Sequence, residues 1–170
     1  LIGILEDDEF KIIKETCGNL GRDLYIKQIG EIIGANLPKC SEVCRISTDV
    51  IGFIMPANDN DYALLTTLTK NIADFEFSWQ DLTTKLTCSI AGYDLNKGLD
   101  DTKESLLNAL YASLQEAKST GRNKVVFYNS KDDFIVERQR QMRMVSHVSD
   151  ALENKKIVLF RQAIIPVDLD

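Results

Sequence analysis

Residues 44–56 read CRISTDVIGFIMP, from Cys44 to Pro56. Two apolar runs flank a short polar centre, Ser47-Thr48-Asp49. Strand-forming residues on either side of small turn residues specify a β-hairpin. Its tip presents one carboxylate, Asp49, at the end of two strands expected to be buried. Such a tip either delivers an acid to a metal–phosphate site or is only a turn, and the residues by themselves favour the turn.

On the N-terminal side, Leu1 to Leu5 (LIGIL) reads as a buried strand that breaks into the acidic run Glu6-Asp7-Asp8-Glu9. An acidic run of this kind is ordinarily a solvated loop. Phe10, Ile12 and Ile13 continue as a short helix toward Gly18. From Arg22 to Leu37, Leu24, Ile26, Ile29, Ile32 and Ile33 follow a helical period, which Pro38 ends. On the C-terminal side, Tyr62 to Phe75 is an amphipathic helix with Leu64, Leu65, Leu68 and Ile72 on one side. Leu82 to Tyr93 alternates and reads as one strand. Leu106 to Lys118 is a helix with Gly121 as its stop, and Lys124 to Tyr128 is a further strand. The order of strand, helices, hairpin, helix, strand, helix and strand predicts an α/β (α+β) domain, a mixed central sheet with helices packed around it.

The composition shifts beyond residue 129. Ser130 to Glu153 is charged and free of Gly and Pro, with Ile135, Met142 and Val145 at roughly helical spacing. Ile157 to Val167, IVLFRQAIIPV, is a fresh apolar strand. The expected organisation is a first domain over 1–129, a connecting helix over 130–155, and the opening strand of a truncated second domain over 156–170. The chain lacks an initiator Met and opens on a strand, so it is expected to be an excised part of a longer protein. Any membrane anchor is expected outside it.

The 170 residues are enough for one α/β domain with a real core, and 44% apolar with 27% charged residues is the balance of an ordinary globular chain. A net charge of −6 argues against a nucleic-acid or anionic-membrane surface. No run has membrane-spanning length and no signal peptide is evident, so the expected location is cytoplasmic. The four cysteines (Cys17, Cys40, Cys44, Cys88) have no CxxC spacing, and the one histidine, His147, lies far from them. Free thiols are expected rather than a zinc site.

The frame of the hairpin resembles a diguanylate cyclase (GGDEF) domain. In that family an Arg, an apolar residue and the signature Gly-Gly-Asp/Glu-Glu-Phe lead into an apolar strand that ends near a Pro. Arg45-Ile46 and Gly52 to Pro56 keep the frame. Ser47 and Thr48 replace both glycines, and Val50 replaces the second acid. Glu6-Asp7-Asp8-Glu9-Phe10-Lys11 resembles the family's Asp-x-Asp-x-Phe-Lys, and Glu116 to Asn123 resembles its Ala-Lys-x-x-Gly-Arg-Asn.

The resemblance implies metal ligation by Glu6 and Asp49, and nucleotide binding by Lys11, Asp23, Lys118 and Arg122. Lys118 and Arg122, next to a helix-stopping Gly, would otherwise be read as a cap that complements the helix dipole. Lys14 stands where the family has an Asn that reads guanine, whereas Asp23 keeps the second guanine contact. The window for the family's inhibitory site, Pro38 to Ser41, lacks its Arg-x-x-Asp, so none is expected. Ala151-Leu152 and Leu159 to Pro166 resemble the opening of an EAL phosphodiesterase domain.

With Val50 in place of an acid, no catalytic residue remains at the signature, and condensation of GTP is expected to fail. The leading expectation is an inactive cyclase-like domain that regulates an adjacent EAL domain of the same parent chain, with GTP as a candidate ligand. No cofactor is required, and magnesium would accompany GTP. The competing expectation is a structural module that dimerises, a homodimer, with its kept residues as relics. An active cyclase ranks last.

Overall fold

The computed structural model describes residues 1–96 and 102–128. The expected connecting helix and the EAL-like strand lie outside these residues. Five strands form one sheet in the order β2-β3-β1-β6-β7. They are β1 (Ile2–Asp7), β2 (Glu42–Arg45), β3 (Val50–Ile54), β6 (Cys88–Tyr93) and β7 (Val125–Phe127). The central strand β1 runs antiparallel to both neighbours, while β7 is parallel to β6. This is the mixed sheet that the alternation of strand and helix signals predicts.

Strand alternation divides the core between the two faces of the sheet. Leu5, Ile51, Phe53 and Ile90 pack with α1 (Phe10–Asn36) and α2 (Asp61–Asp74). Ile4, Val50, Ala91 and Tyr93 pack with Ala109, Leu110 and Leu114 of α3 (Lys103–Ser119). With helices on both faces, every residue of β6 is buried. Gly18, at φ 60° and ψ −162°, breaks α1 into the two helices read from the sequence. Leu37 turns to extended backbone ahead of Pro38, which disfavours a helical predecessor. Among the described residues no helix is long and apolar enough to cross a membrane.

Three expectations need correction. First, β1 does not stop at Leu5. Glu6 and Asp7 belong to it, paired with Ser89 and Cys88, and Asp7 is only 5% exposed. A strand held on both sides carries its first two acids inward. Second, Leu82 to Tyr93 is two strands in two sheets. β5 (Leu82–Lys85) pairs with β4 (Glu76–Trp79) in a separate ribbon, and the chain crosses to the main sheet at Leu86-Thr87. The parity of Leu86, Cys88 and Ile90 continues across the break, so alternation alone could not reveal it. The ribbon's turn is Gln80-Asp81, with Gln80 at φ 51°, and it lacks the Gly or Asn that marks such turns. Third, β3 is buried but β2 is not. β2 is the sheet edge, and Glu42, Cys44 and Arg45 are exposed.

Candidate functional site

The end of β1, the start of α1, the hairpin tip and the end of α3 meet around a cavity of about 390 Å³. Lys11, Lys14 and Lys118 line it, and so do the carboxylates of Glu6, Glu15 and Asp49 and the buried Asp7 and Asp8. Glu6 lies on β1 directly across from Val50. Its carboxylate pairs with the Lys118 ammonium, brought over from α3, and both side chains are largely buried. Lys11 pairs loosely with Glu15 one helical turn on, at 3.6 Å and highly exposed. Asp49 accepts a hydrogen bond from Ser47 Oγ at 2.9 Å.

Two acids of the β1 end are structural in a way the local sequence gave no sign of. Asp7 accepts from the Tyr25 hydroxyl and, at 2.8 Å, from the Glu9 N–H. Burial outweighs these bonds and pushes the Asp7 carboxyl up to about 6. Burial and the neighbouring Asp7 charge push the Tyr25 hydroxyl far above its usual value. Asp8 accepts from Thr87 Oγ1 at 2.7 Å, Ser89 Oγ at 2.6 Å and the Asn123 N–H at 3.0 Å.

The tip is organised by Arg45. Its Nε and Nη2 donate to the carbonyls of Ser47 and Thr48, each at 2.9 Å, and Nη1 reaches Asp23 Oδ1 at 3.4 Å. Asp23 also receives Arg22 Nη2 at 3.1 Å, and the hydrogen bonds from Arg22 first, then Arg45, hold its carboxyl below the usual range. Among the described residues the left-handed non-glycine positions are Gln80, Arg122 and Asn123, so Ser47 and Thr48 replace glycines without backbone strain. Val50 is 4% exposed and packs in the α3-side core.

Of the residues singled out in the sequence, Glu6, Asp49, Lys11 and Lys118 share the cavity. Asp23 and Arg122 are not in its lining; both are exposed, Asp23 against the hairpin and Arg122 in the loop after α3. Among the described residues no three Cys, His, Asp or Glu side chains converge into a cation cage. Glu6 and Asp49 on one cavity fit a magnesium ion that arrives with a polyphosphate, because such an ion keeps most of its ligands as phosphate oxygens and water. Carboxylates for the ion and ammoniums for phosphate oxygens are the two halves of such a site.

The family model described as "Diguanylate cyclase, GGDEF domain" matches residues 2–124. A curated relative, the bifunctional diguanylate cyclase/cyclic di-GMP phosphodiesterase MucR of Pseudomonas aeruginosa, is 27% identical over 158 residues. That alignment covers 91% of this chain but 22% of the relative, so the chain spans about a fifth of the curated protein it matches. Among solved structures, an EAL/GGDEF domain protein from M. capsulatus is similar at TM-score 0.64 and 26% identity, over 75% of this chain and 83% of that one. The active GGEEF domain of a diguanylate cyclase from Vibrio cholerae is similar in fold at TM-score 0.64 and 16% identity, over 76% and 83% of the two chains.

Proposed function

This chain belongs to the diguanylate cyclase GGDEF family, and from that premise we propose that it is an inactive, cyclase-like regulatory domain of a cytoplasmic cyclic di-GMP signalling protein. It binds the magnesium complex of GTP and signals to an adjacent EAL phosphodiesterase domain.

The observation that carries the reading is the contrast at one register position of the sheet. Glu6 lines the cavity, while Val50, its partner across the strands, is buried against α3. A pocket able to hold metal-bound phosphate thus stands beside a signature position that supplies no acid. Binding survives that change, whereas activation of a hydroxyl nucleophile does not.

On binding, Glu6 and Lys118 give up each other. The carboxylate turns to the cation that accompanies the nucleotide, and the ammonium turns to a phosphate oxygen. The bound magnesium supplies charge neutralisation of the phosphates. Lys11 and Lys14 add two exposed cations to the lining. Among the described residues no side-chain amide lines the cavity, and Asp23 is engaged by Arg22 and Arg45. The base is therefore held weakly, and GTP and ATP should bind alike. The pairing with an EAL domain is supported by the bifunctional MucR and by the EAL/GGDEF protein from M. capsulatus.

Calorimetric titration with GTP, with and without magnesium, tests the proposal. Binding that strengthens with magnesium is expected. A flat titration in both conditions would leave a structural module without a ligand.

A further inference from the structure

The loop after α3 has three consecutive residues at positive φ: Gly121 at 120°, Arg122 at 58° and Asn123 at 45°. Glycine adopts such angles freely. For Arg122 they are the left-handed state that side chains disfavour, and Asn123, although Asn enters it more readily than most side chains, still does so at a cost relative to glycine. Backbone of this kind persists only where its surroundings over-determine it. Two ties are local to the helix end and the sheet. The Arg122 N–H donates to the Ala117 carbonyl at 2.9 Å, and the Lys124 carbonyl accepts from the Ile90 N–H at 2.9 Å. The third comes from far along the chain, where Asp8 Oδ2 accepts the Asn123 N–H.

Asp8 is 8% exposed. Both of its oxygens are engaged, Oδ2 by Asn123 and Thr87 and Oδ1 by Ser89, and its own N–H donates to the Thr87 carbonyl at 2.9 Å. One carboxylate therefore joins the end of β1, the entry to β6 and the loop after α3. Lys118 precedes that loop by one turn and meets Glu6, two residues before Asp8. We infer that Asp8 is the positioning residue of the pocket. It holds Asn123 in its left-handed state, and so sets the end of α3 and Lys118 against Glu6, without itself being a metal ligand. The consequence for binding rests on the nucleotide reading above; the tie does not.

Asp8→Asn separates positioning from ligation. Its amide oxygen can take the place of Oδ2, facing Asn123 and Thr87, while its amide donates to the Ser89 hydroxyl, which rotates to accept. The geometry survives and the charge is lost. Asp8→Ala removes the tie, and adding Asn123→Gly removes the need for it.

In calorimetric titrations of the whole chain with GTP and magnesium, Asp8→Asn should bind within about three-fold of wild type and Asp8→Ala at least about ten-fold more weakly. Asn123→Gly should recover much of the Asp8→Ala loss. A loss of about ten-fold in Asp8→Asn would make the carboxylate a charge-bearing ligand and overturn the inference. So would an Asp8→Ala variant that binds like wild type. If Asp8→Ala fails to fold, Asp8→Ser, whose hydroxyl is too short to reach the Asn123 N–H, takes its place in both measurements. Hydrogen exchange at the Asn123 N–H reads the tie without ligand. It should be slow in wild type and Asp8→Asn and fast in Asp8→Ala, and equal rates in all three would overturn the inference. A wild type that binds no GTP would sink the nucleotide reading alone, and the exchange rates would still judge the tie.

Discussion

The end of β1 and the tip of the β2–β3 hairpin face the same cavity, yet one is made of buried groups and the other of exposed ones. At the end of β1, Asp7 and Asp8 are enclosed and hydrogen-bonded by Tyr25, Thr87, Ser89 and Asn123. At the tip, Arg45, Asp23, Ser47 and Asp49 bond to one another in solvent. Truncating Asp7 or Asp8 to a side chain that cannot keep these hydrogen bonds strands the donors that face it, which costs about 1–3 kcal/mol or more. Replacing a member of the second exchanges one solvated bond for another. The half of the site built into the core is thus physically expensive to alter. The tip, where Ser47 and Thr48 stand in place of glycines, is not.

The sharpest difference should appear at Asp7. Its carboxyl is raised from 3.8 to about 6, so the folded state holds the proton more tightly than the unfolded chain. The stability linked to this group is complete below pH 3.8 and is lost as pH rises through about 6. A shift of about two units corresponds to at most about 3 kcal/mol. Asp7→Asn can keep both hydrogen bonds, with the Tyr25 hydroxyl turned to accept. It should match wild type near pH 4 and be more stable by up to about 3 kcal/mol near pH 8, as read by urea unfolding. Equal stability of the two proteins at both pH values would show that Asp7 is not enclosed as described.

Next in size is the cation set. Lys118→Ala should weaken binding of magnesium GTP about ten-fold, since the ammonium that turns from Glu6 to a phosphate oxygen is lost. Arg122→Ala, at an exposed residue outside the cavity lining, should weaken it less than about three-fold. Calorimetry of the two variants side by side checks the ranking. The reverse order would move the phosphates out of the cavity and onto the loop.

The smallest effect belongs to the tip. Arg45→Ala and Asp23→Ala break a 3.4 Å pair whose side chains are 39% and 53% exposed. Each should leave the urea-unfolding midpoint close to that of wild type. A large drop of the midpoint in either would erase the contrast between the two regions.

How far the sequence could carry this description follows the same division. The strands and helices are readable because their apolar residues repeat at periods of 2 and 3.6, a signal contained within each element. The frame Arg45-Ile46 to Pro56 located the hairpin; of the residues the family resemblance singles out, Glu6, Asp49, Lys11 and Lys118 line one cavity, and Asp23 and Arg122 do not. Asp7 and Asp8 could not be told from a solvated acidic run. Apart from the Glu9 N–H, their partners lie 18 to 115 residues away, beyond any local pattern. Arg45 reads only as part of a motif, and its grip on the tip carbonyls depends on the turn's three-dimensional path. The β4–β5 ribbon was hidden by a turn without glycine and by a parity that runs on unbroken into β6.

The central claim is that the signature no longer catalyses the condensation of GTP. Incubating the purified chain with GTP and either magnesium or manganese, and resolving the products by chromatography, tests it most directly. The account predicts no cyclic di-GMP above a no-protein control, because Val50 supplies no acid and its side chain is buried against α3. Sustained formation of cyclic di-GMP well above that control would contradict it.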